Sequence, residues 1–228
     1  MNNPSPTLTS ALSLILGQSV GLTGLRVQNA PYYGPYKWIA VRPRFEEFHR
    51  NLALTPRQQL DGMVKRDGVV GCLNRHYYGS TSGTENSFLI GSWGKDTAVR
   101  PPRDVDVYFL LPPAVHARLQ GHVWNRQSAL LQEVKGILGN TYPDTDMSGD
   151  GQIVLVQFET YSVEVVPAFL LTNGRYWICD TRNGGSYKQT DPWAEVGYLD
   201  AVDRANNHNL RPLIRMLKAW QVYCSVPI

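Results

Sequence analysis

Two aspartates stand two residues apart in Asp104-Val105-Asp106-Val107, inside a run that alternates polar and apolar side chains. In a strand, side chains at i and i+2 share a face. Both carboxylates then point one way while Val105, Val107 and Phe109 point into a core. Neighbouring carboxylates repel, and a divalent cation relieves that repulsion. Hard oxygen ligands suit Mg²⁺ or Mn²⁺. Upstream, Gly91-Ser92 follows the apolar run Phe88-Leu89-Ile90. A glycine lets the backbone approach a ligand closely, and successive N–H groups of a turn with a hydroxyl cradle a phosphate. A third carboxylate, Glu164, sits in the valine-rich segment Ser162-Val163-Glu164-Val165-Val166. There a charge is costly to bury unless it is paired or bound to metal. Two-metal phosphoryl transfer needs such shared carboxylates, with one cation at the attacking oxygen and one at the triphosphate. A lone DxD pair is more often just the acidic outer face of a strand. With the Gly-Ser turn and Glu164 it reads as a phosphate-and-metal site.

These residues need strands to carry them and helices to back the strands. Ser87–Ile90, 104–111, 153–158 and 161–171 read as strands, and Tyr176-Trp177-Ile178 as a further one. Thr55-Pro56-Arg57-Gln58 is a capping box with proline at the first helical position, so a long helix runs to about Tyr78. Gly68 and Gly71 are its weak points. A helix is predicted from Ala114 to Leu138, closed by Gly139. Asp191-Pro192 starts another, and Asn209 starts the last, whose apolar face is Leu210, Leu213, Ile214, Leu217 and Trp220. Strands clustered between helices give an α+β class, a mixed sheet with helices on one side and a helical lobe at the C-terminus. The expected organisation is an extension at 1–42, a catalytic lobe at 43–190 and the start of the helical lobe at 191–228.

Composition excludes several classes. The chain has 228 residues, 43% of them hydrophobic and 18% charged, which is neither a disordered tail nor a fibre. Cys72, Cys179 and Cys224 form no CxxC pair, so neither a zinc knuckle nor a disulfide scaffold is expected, and a reducing cytoplasm is the default. No apolar run is long enough for a membrane helix. The first 25 residues lack charged side chains, and their apolar stretch Ala11–Leu16 has no basic start, so it reads as part of the extension rather than as a targeting signal. Residues 26–103 carry a net charge of +6 and residues 104–228 a net of −3. That split suits phosphate held by one half and a cation held by the other. Asp144-x-Asp146-x-Ser148-Gly149 imitates a calcium loop, but the twelfth position is Leu155 rather than Glu, which excludes it.

The order of these features resembles the DNA polymerase β-like nucleotidyltransferase superfamily, whose pattern is a Gly-Gly or Gly-Ser turn, an acidic pair on a strand and a later acidic residue. More narrowly, GSWGKDTAVRPPRDVDVYFLL, VEVVPAF, GGSYKQTDP and LIRMLKAWQVYC, in that order, resemble the bacterial CD-NTases, relatives of oligoadenylate synthase and cyclic GMP-AMP synthase. The resemblance runs from about Phe45 to Ile228. It implies Asp104, Asp106 and Glu164 as metal-binding catalytic carboxylates, and Gly91, Ser92 and Lys218 as contacts to the triphosphate. Ser186 and Thr190 are implied to fall in a loop lining the nucleotide pocket. Arg100 and Arg103 read as surface arginines as readily as nucleotide contacts. The implied activity joins NTPs, with Mg²⁺ or Mn²⁺, into a cyclic oligonucleotide second messenger of anti-phage signalling. A regulatory protein and a downstream effector are the implied partners, with no nucleic-acid template and no membrane. Transfer of a nucleotide to RNA, protein or a small molecule stays open, as does nucleotide binding without turnover. The sequence departs from the family pattern at Asp96, where a small residue is usual, and in having Glu rather than Asp as third carboxylate. Relatives continue with more helices, so the helical lobe is expected to be incomplete.

Overall fold

A computed structural model describes residues 39–122 and 125–226. The apolar stretch at 11–16 and most of the expected extension lie outside the described residues. Of these, residues 43–122 and 125–226 belong to one compact unit.

Helix α1 (Val41–Leu52) precedes α2 (Pro56–Tyr78). The α2 capping box forms as its sequence demands. Thr55 Oγ1 accepts from the Gln58 N–H (3.2 Å), and Gln58 Oε1 accepts from the Thr55 N–H (2.9 Å). The helix ends at Gly79 in the left-handed region, φ 68°. Gly68 and Gly71 leave it unbroken. A Cβ at Gly71 would lie 3.2 Å from the Thr81 carbonyl, so the missing side chain lets the following loop pack against the helix.

Seven strands form one mixed sheet: β1 (Ser87–Leu89), β2 (Asp104–Leu110), β3 (Asp146–Asp150), β4 (Ile153–Gln157), β5 (Ser162–Leu170), β6 (Tyr176–Asp180) and β7 (Ser186–Thr190). β2 and β5 pair in parallel, and the other pairs are antiparallel. The second edge of β5 takes β4 along its first half and β6 along its second.

Period two divides the sheet's residues between two faces. Val107, Phe109, Val163 and Val165 enter the main core with Val69, Val70 and Leu73 of α2, and Val105 is likewise fully buried. Leu130, Leu131 and Val134 close that core from α5 (Arg126–Thr141). The opposite face carries Asp104, Asp106 and Glu164 at one end. A smaller cluster of Tyr108, Val166, Ala168, Tyr176 and Ile178 occupies the other end. Trp193, in helix α6 (Pro192–Ala205), covers that cluster. Its ring lies 4.7 Å from Phe88, and its Nε1 donates to the Tyr176 hydroxyl (3.0 Å). The last helix is α7 (Leu210–Tyr223).

Three local readings need correction, and one strand was not foreseen. The helix expected over 114–138 is two helices, α4 (Pro113–Leu119) and α5. Asn125 explains the break: its Oδ1 caps α5 by accepting from the Ser128 N–H (2.9 Å), while its Nδ2 donates to the Thr181 carbonyl (2.8 Å). Gly139 lies within α5, which runs on to Thr141. The Asp146–Asp150 segment, which imitates a calcium loop, is an edge strand in which Met147 alone is buried. Asp150 Oδ1 instead accepts from the Gly151 N–H (2.7 Å) and Thr181 Oγ1 (3.0 Å). Ser186 and Thr190 are the two ends of strand β7, which pairs with β6 as a ladder rather than forming a loop.

Candidate active site

The parallel register sets Asp106 directly opposite Glu164, and Asp104 opposite Ser162. Carboxylate oxygens of Asp104, Asp106 and Glu164 lie within 4.8 Å of one another, and all three residues are half-buried. At that spacing two full charges repel by roughly 3 kcal/mol at an effective dielectric of about 20. Burial, then the Asp104 charge, raises the Asp106 pKa, although Glu164, the Ser92 N–H and Lys218 pull it back. Burial, then Asp106 and Asp104, pushes Glu164 up to about 7. Three carboxylates crowded this closely are a donor set that fits a hard divalent cation.

The Gly91-Ser92 turn is built onto this cluster. The Ile90 N–H donates to the Asp106 carbonyl (3.0 Å) at the end of β1, and the chain then enters the single turn α3 (Gly91–Gly94). Gly91 has φ 57°, and a Cβ there would sit 1.8 Å from Asp106 Oδ2. Glycine is therefore required twice, by the backbone and by the carboxylate behind it. Trp93 anchors the turn. Its Nε1 donates to the Asp104 carbonyl (2.8 Å), and its ring meets Tyr161 edge-on at 6.0 Å. Gly62 of α2 leaves room for it, since a Cβ there would be 2.9 Å from the indole.

Helix α7 closes the site through cations. Arg211 Nε donates to the Lys95 carbonyl (3.0 Å), and Arg215 Nη2 donates to the Asp96 carbonyl (2.8 Å). Lys218 Nζ donates to the Thr97 carbonyl (3.1 Å) and to Thr97 Oγ1 (3.2 Å). Burial lowers the Lys218 pKa, while Asp104 and Asp106 act in the opposite direction. Leu213, Leu217 and Trp220, expected to form an apolar face, are about half exposed.

Ser92, Asp104, Asp106 and Lys218 line one cavity of about 530 Å³, and Arg100 and Arg103 line it too. A second cavity, of about 430 Å³, lies past Gly91 and is lined by Tyr108, Lys188, Thr190 and Trp193. Ser186 is exposed at the other end of β7 and lines neither. The structure thus brings together Asp104, Asp106, Glu164, Gly91, Ser92 and Lys218, with Thr190 in the adjacent hollow. Sequence reasoning missed Thr97, whose contact with Lys218 spans 121 residues and leaves no local pattern. It also missed Trp193, which reads as an ordinary core aromatic in the first turn of a helix.

The family model of the Second Messenger Oligonucleotide or Dinucleotide Synthetase domain matches residues 39–203. No curated protein matches significantly. Among solved structures, the chain is similar to CdnC of E. coli MS115-1, in its complex with HORMA-deltaN, at 20% identity and TM-score 0.55. That alignment covers 81% of this chain and 56% of CdnC. It is also similar to the Elizabethkingia meningoseptica CdnE cyclic dinucleotide synthase, at 16% identity and TM-score 0.59, covering 79% of this chain and 66% of that one. The Rhodothermus marinus CdnE c-UMP-AMP synthase gives 16% identity and TM-score 0.54, with 81% and 69% covered. At these identities the likeness is one of fold. The chain spans a little over half the length of the CdnC chain it matches.

Proposed function

The chain belongs to the Second Messenger Oligonucleotide or Dinucleotide Synthetase family, and from that premise we propose that it joins nucleoside triphosphates into a cyclic oligonucleotide, releasing pyrophosphate. A 2′- or 3′-hydroxyl of one nucleotide attacks the α-phosphorus of another. The new O–P bond forms as the bond to pyrophosphate breaks, and a second such step closes the ring. The observation that carries this reading is the convergence of Asp104, Asp106, Ser92 and Lys218 on one cavity, with Glu164 beside Asp106.

Asp104, Asp106 and Glu164 would hold divalent cations, Mg²⁺ or Mn²⁺. Those cations supply charge neutralisation for the triphosphate and acidify the attacking hydroxyl. The protein's share is placement. The Gly91-Ser92 turn and Lys218 hold the polyphosphate, while Trp93 fixes the turn against Asp104. The second cavity, walled by Tyr108, Thr190 and Trp193, takes a nucleobase and offers aromatic faces for stacking. Ser186 is retained as a weaker substrate contact, reachable only by a group extending along β7.

Among the described residues no helix is long and apolar enough to cross a membrane. The three cysteines are free, in keeping with action in the cytoplasm. In the signalling role proposed, the product acts on a downstream effector and synthesis answers to a regulatory protein. The deciding experiment incubates the chain with all four labelled NTPs and Mg²⁺ or Mn²⁺, then phosphatase, and separates the products. A phosphatase-resistant species of two or three nucleotides, lost in D104A/D106A, supports the reading. Label transferred to an added acceptor, or no product from the unsubstituted chain, refutes it.

A further inference from the structure

Thr97 is 3% exposed, unusual for a hydroxyl residue between a phosphate-type turn and a helix of cations. Its N–H donates to the Ser92 carbonyl (2.8 Å), and its own carbonyl and Oγ1 accept from Lys218. Three consecutive carbonyls, of Lys95, Asp96 and Thr97, thus each receive a cation from successive turns of α7. The three cations differ in what else they hold. Arg211 pairs with Asp200 and Asp203, and Arg215 with the Asp96 carboxylate. Lys218 instead has a hydroxyl as its side-chain partner, and it lines the cavity with Ser92. An ammonium has three donors. Two go to Thr97, leaving one for another acceptor.

We propose that Thr97 is a positioning residue that fixes the Lys218 ammonium relative to the Gly91-Ser92 turn, so that lysine and turn bind the triphosphate of an NTP as one unit. Oγ1 supplies the directional part of the hold. The link back to Ser92 sets its distance, so a loose lysine on a mobile stem becomes a fixed charge. This inference rests on the proposed triphosphate site, and its test is separable from that of turnover.

The experiment measures the dissociation constant of an ATP analogue with a non-cleavable α–β bridge, with Mg²⁺, for the unsubstituted chain, T97V, T97S, K218M and T97V/K218M. Thermal melting of each is recorded alongside. Loss of one hydrogen bond to a charged group predicts binding weakened by about tenfold in T97V. T97S, which keeps the hydroxyl, stays within about threefold of the unsubstituted chain. In the K218M background, T97V adds nothing further. Equal losses in T97S and T97V overturn the proposal, as does a T97V effect that persists in full without Lys218. Product formation from NTPs, scored separately, tests the synthase reading.

Discussion

Replacing Gly91 by alanine asks whether the Gly-Ser turn and the acid cluster are one device. The added Cβ would lie 1.8 Å from Asp106 Oδ2 and 2.6 Å from its Cγ. Ordinary contact needs more than 3 Å, so one partner must move by more than 1 Å. The turn is poorly able to yield. The Ile90 N–H is bonded to the Asp106 carbonyl, and Trp93 to the Asp104 carbonyl. The carboxylate therefore swings away, losing its bond from the Ser92 N–H and its place beside Glu164. Left-handed backbone at a non-glycine residue costs roughly 1–2 kcal/mol on its own. Displacing a reacting group by about 1 Å costs on the order of 100-fold in rate. Initial rates of pyrophosphate release with NTPs and Mg²⁺ should fall at least about 100-fold in G91A, with a melting temperature only a few degrees lower. A variant within about threefold of the unsubstituted rate would refute the packing of Gly91 on Asp106 as the reason for glycine.

Gly136 supplies the contrast: it is exposed in α5 with nothing within 4 Å of a built Cβ, so G136A should raise stability by about 0.5–1 kcal/mol in denaturant titration, with activity unchanged. Asp203, buried at the α6–α7 junction, bonds the Leu210 and Arg211 N–H groups and the Arg211 side chain. Burial opposes its ionisation, but hydrogen bonds from Arg211 and His208 outweigh that and hold its pKa at about 2. A depressed carboxylate stabilises above its unfolded pKa, so this contribution should vanish as pH falls from about 4 through 2, and melting curves of D203N should show a flatter acid limb. N125A removes the α5 cap and the tie to Thr181, and should cost about 1–2 kcal/mol in a chemical melt. Mg²⁺ or Mn²⁺ should raise the melting temperature of the unsubstituted chain but not of D104N/D106N, since the cation binds only the folded cluster.

The acid cluster was legible because Asp104, Asp106 and Glu164 are each followed by a buried valine at the start of β2 and β5, and a two-residue period leaves one choice of face for the three carboxylates. The fold class followed from strands gathered between helices. β3 and β7 were opaque because edge strands bury little. Ser186, Lys188 and Gln189 face water and carry no hydrophobic rhythm. The break between α4 and α5 was hidden for another reason. Asn125 ends one pattern by reaching to Thr181, and a contact across the fold has no local signature. Thr97 was missed likewise, since the hold on α7 is made by Arg211, Arg215 and Lys218 reaching the 95–97 carbonyls, contacts that leave no local pattern.

The parallel pairing of β2 with β5 has a consequence for how the protein comes to exist. Neighbouring strands running the same way cannot be joined by a tight turn, so α4, α5 and the β3–β4 hairpin all lie between Asp106 and Glu164 along the chain. Pairings so distant in sequence are reached late and slowly. On a ribosome, Asp104 and Asp106 emerge well before their third partner, so a nascent chain has no complete acid cluster until β5 has left the tunnel and zipped onto β2. Assembly of the acid cluster is thereby tied to the β2–β5 pairing, and metal uptake by a refolding chain should serve as a clock for that pairing.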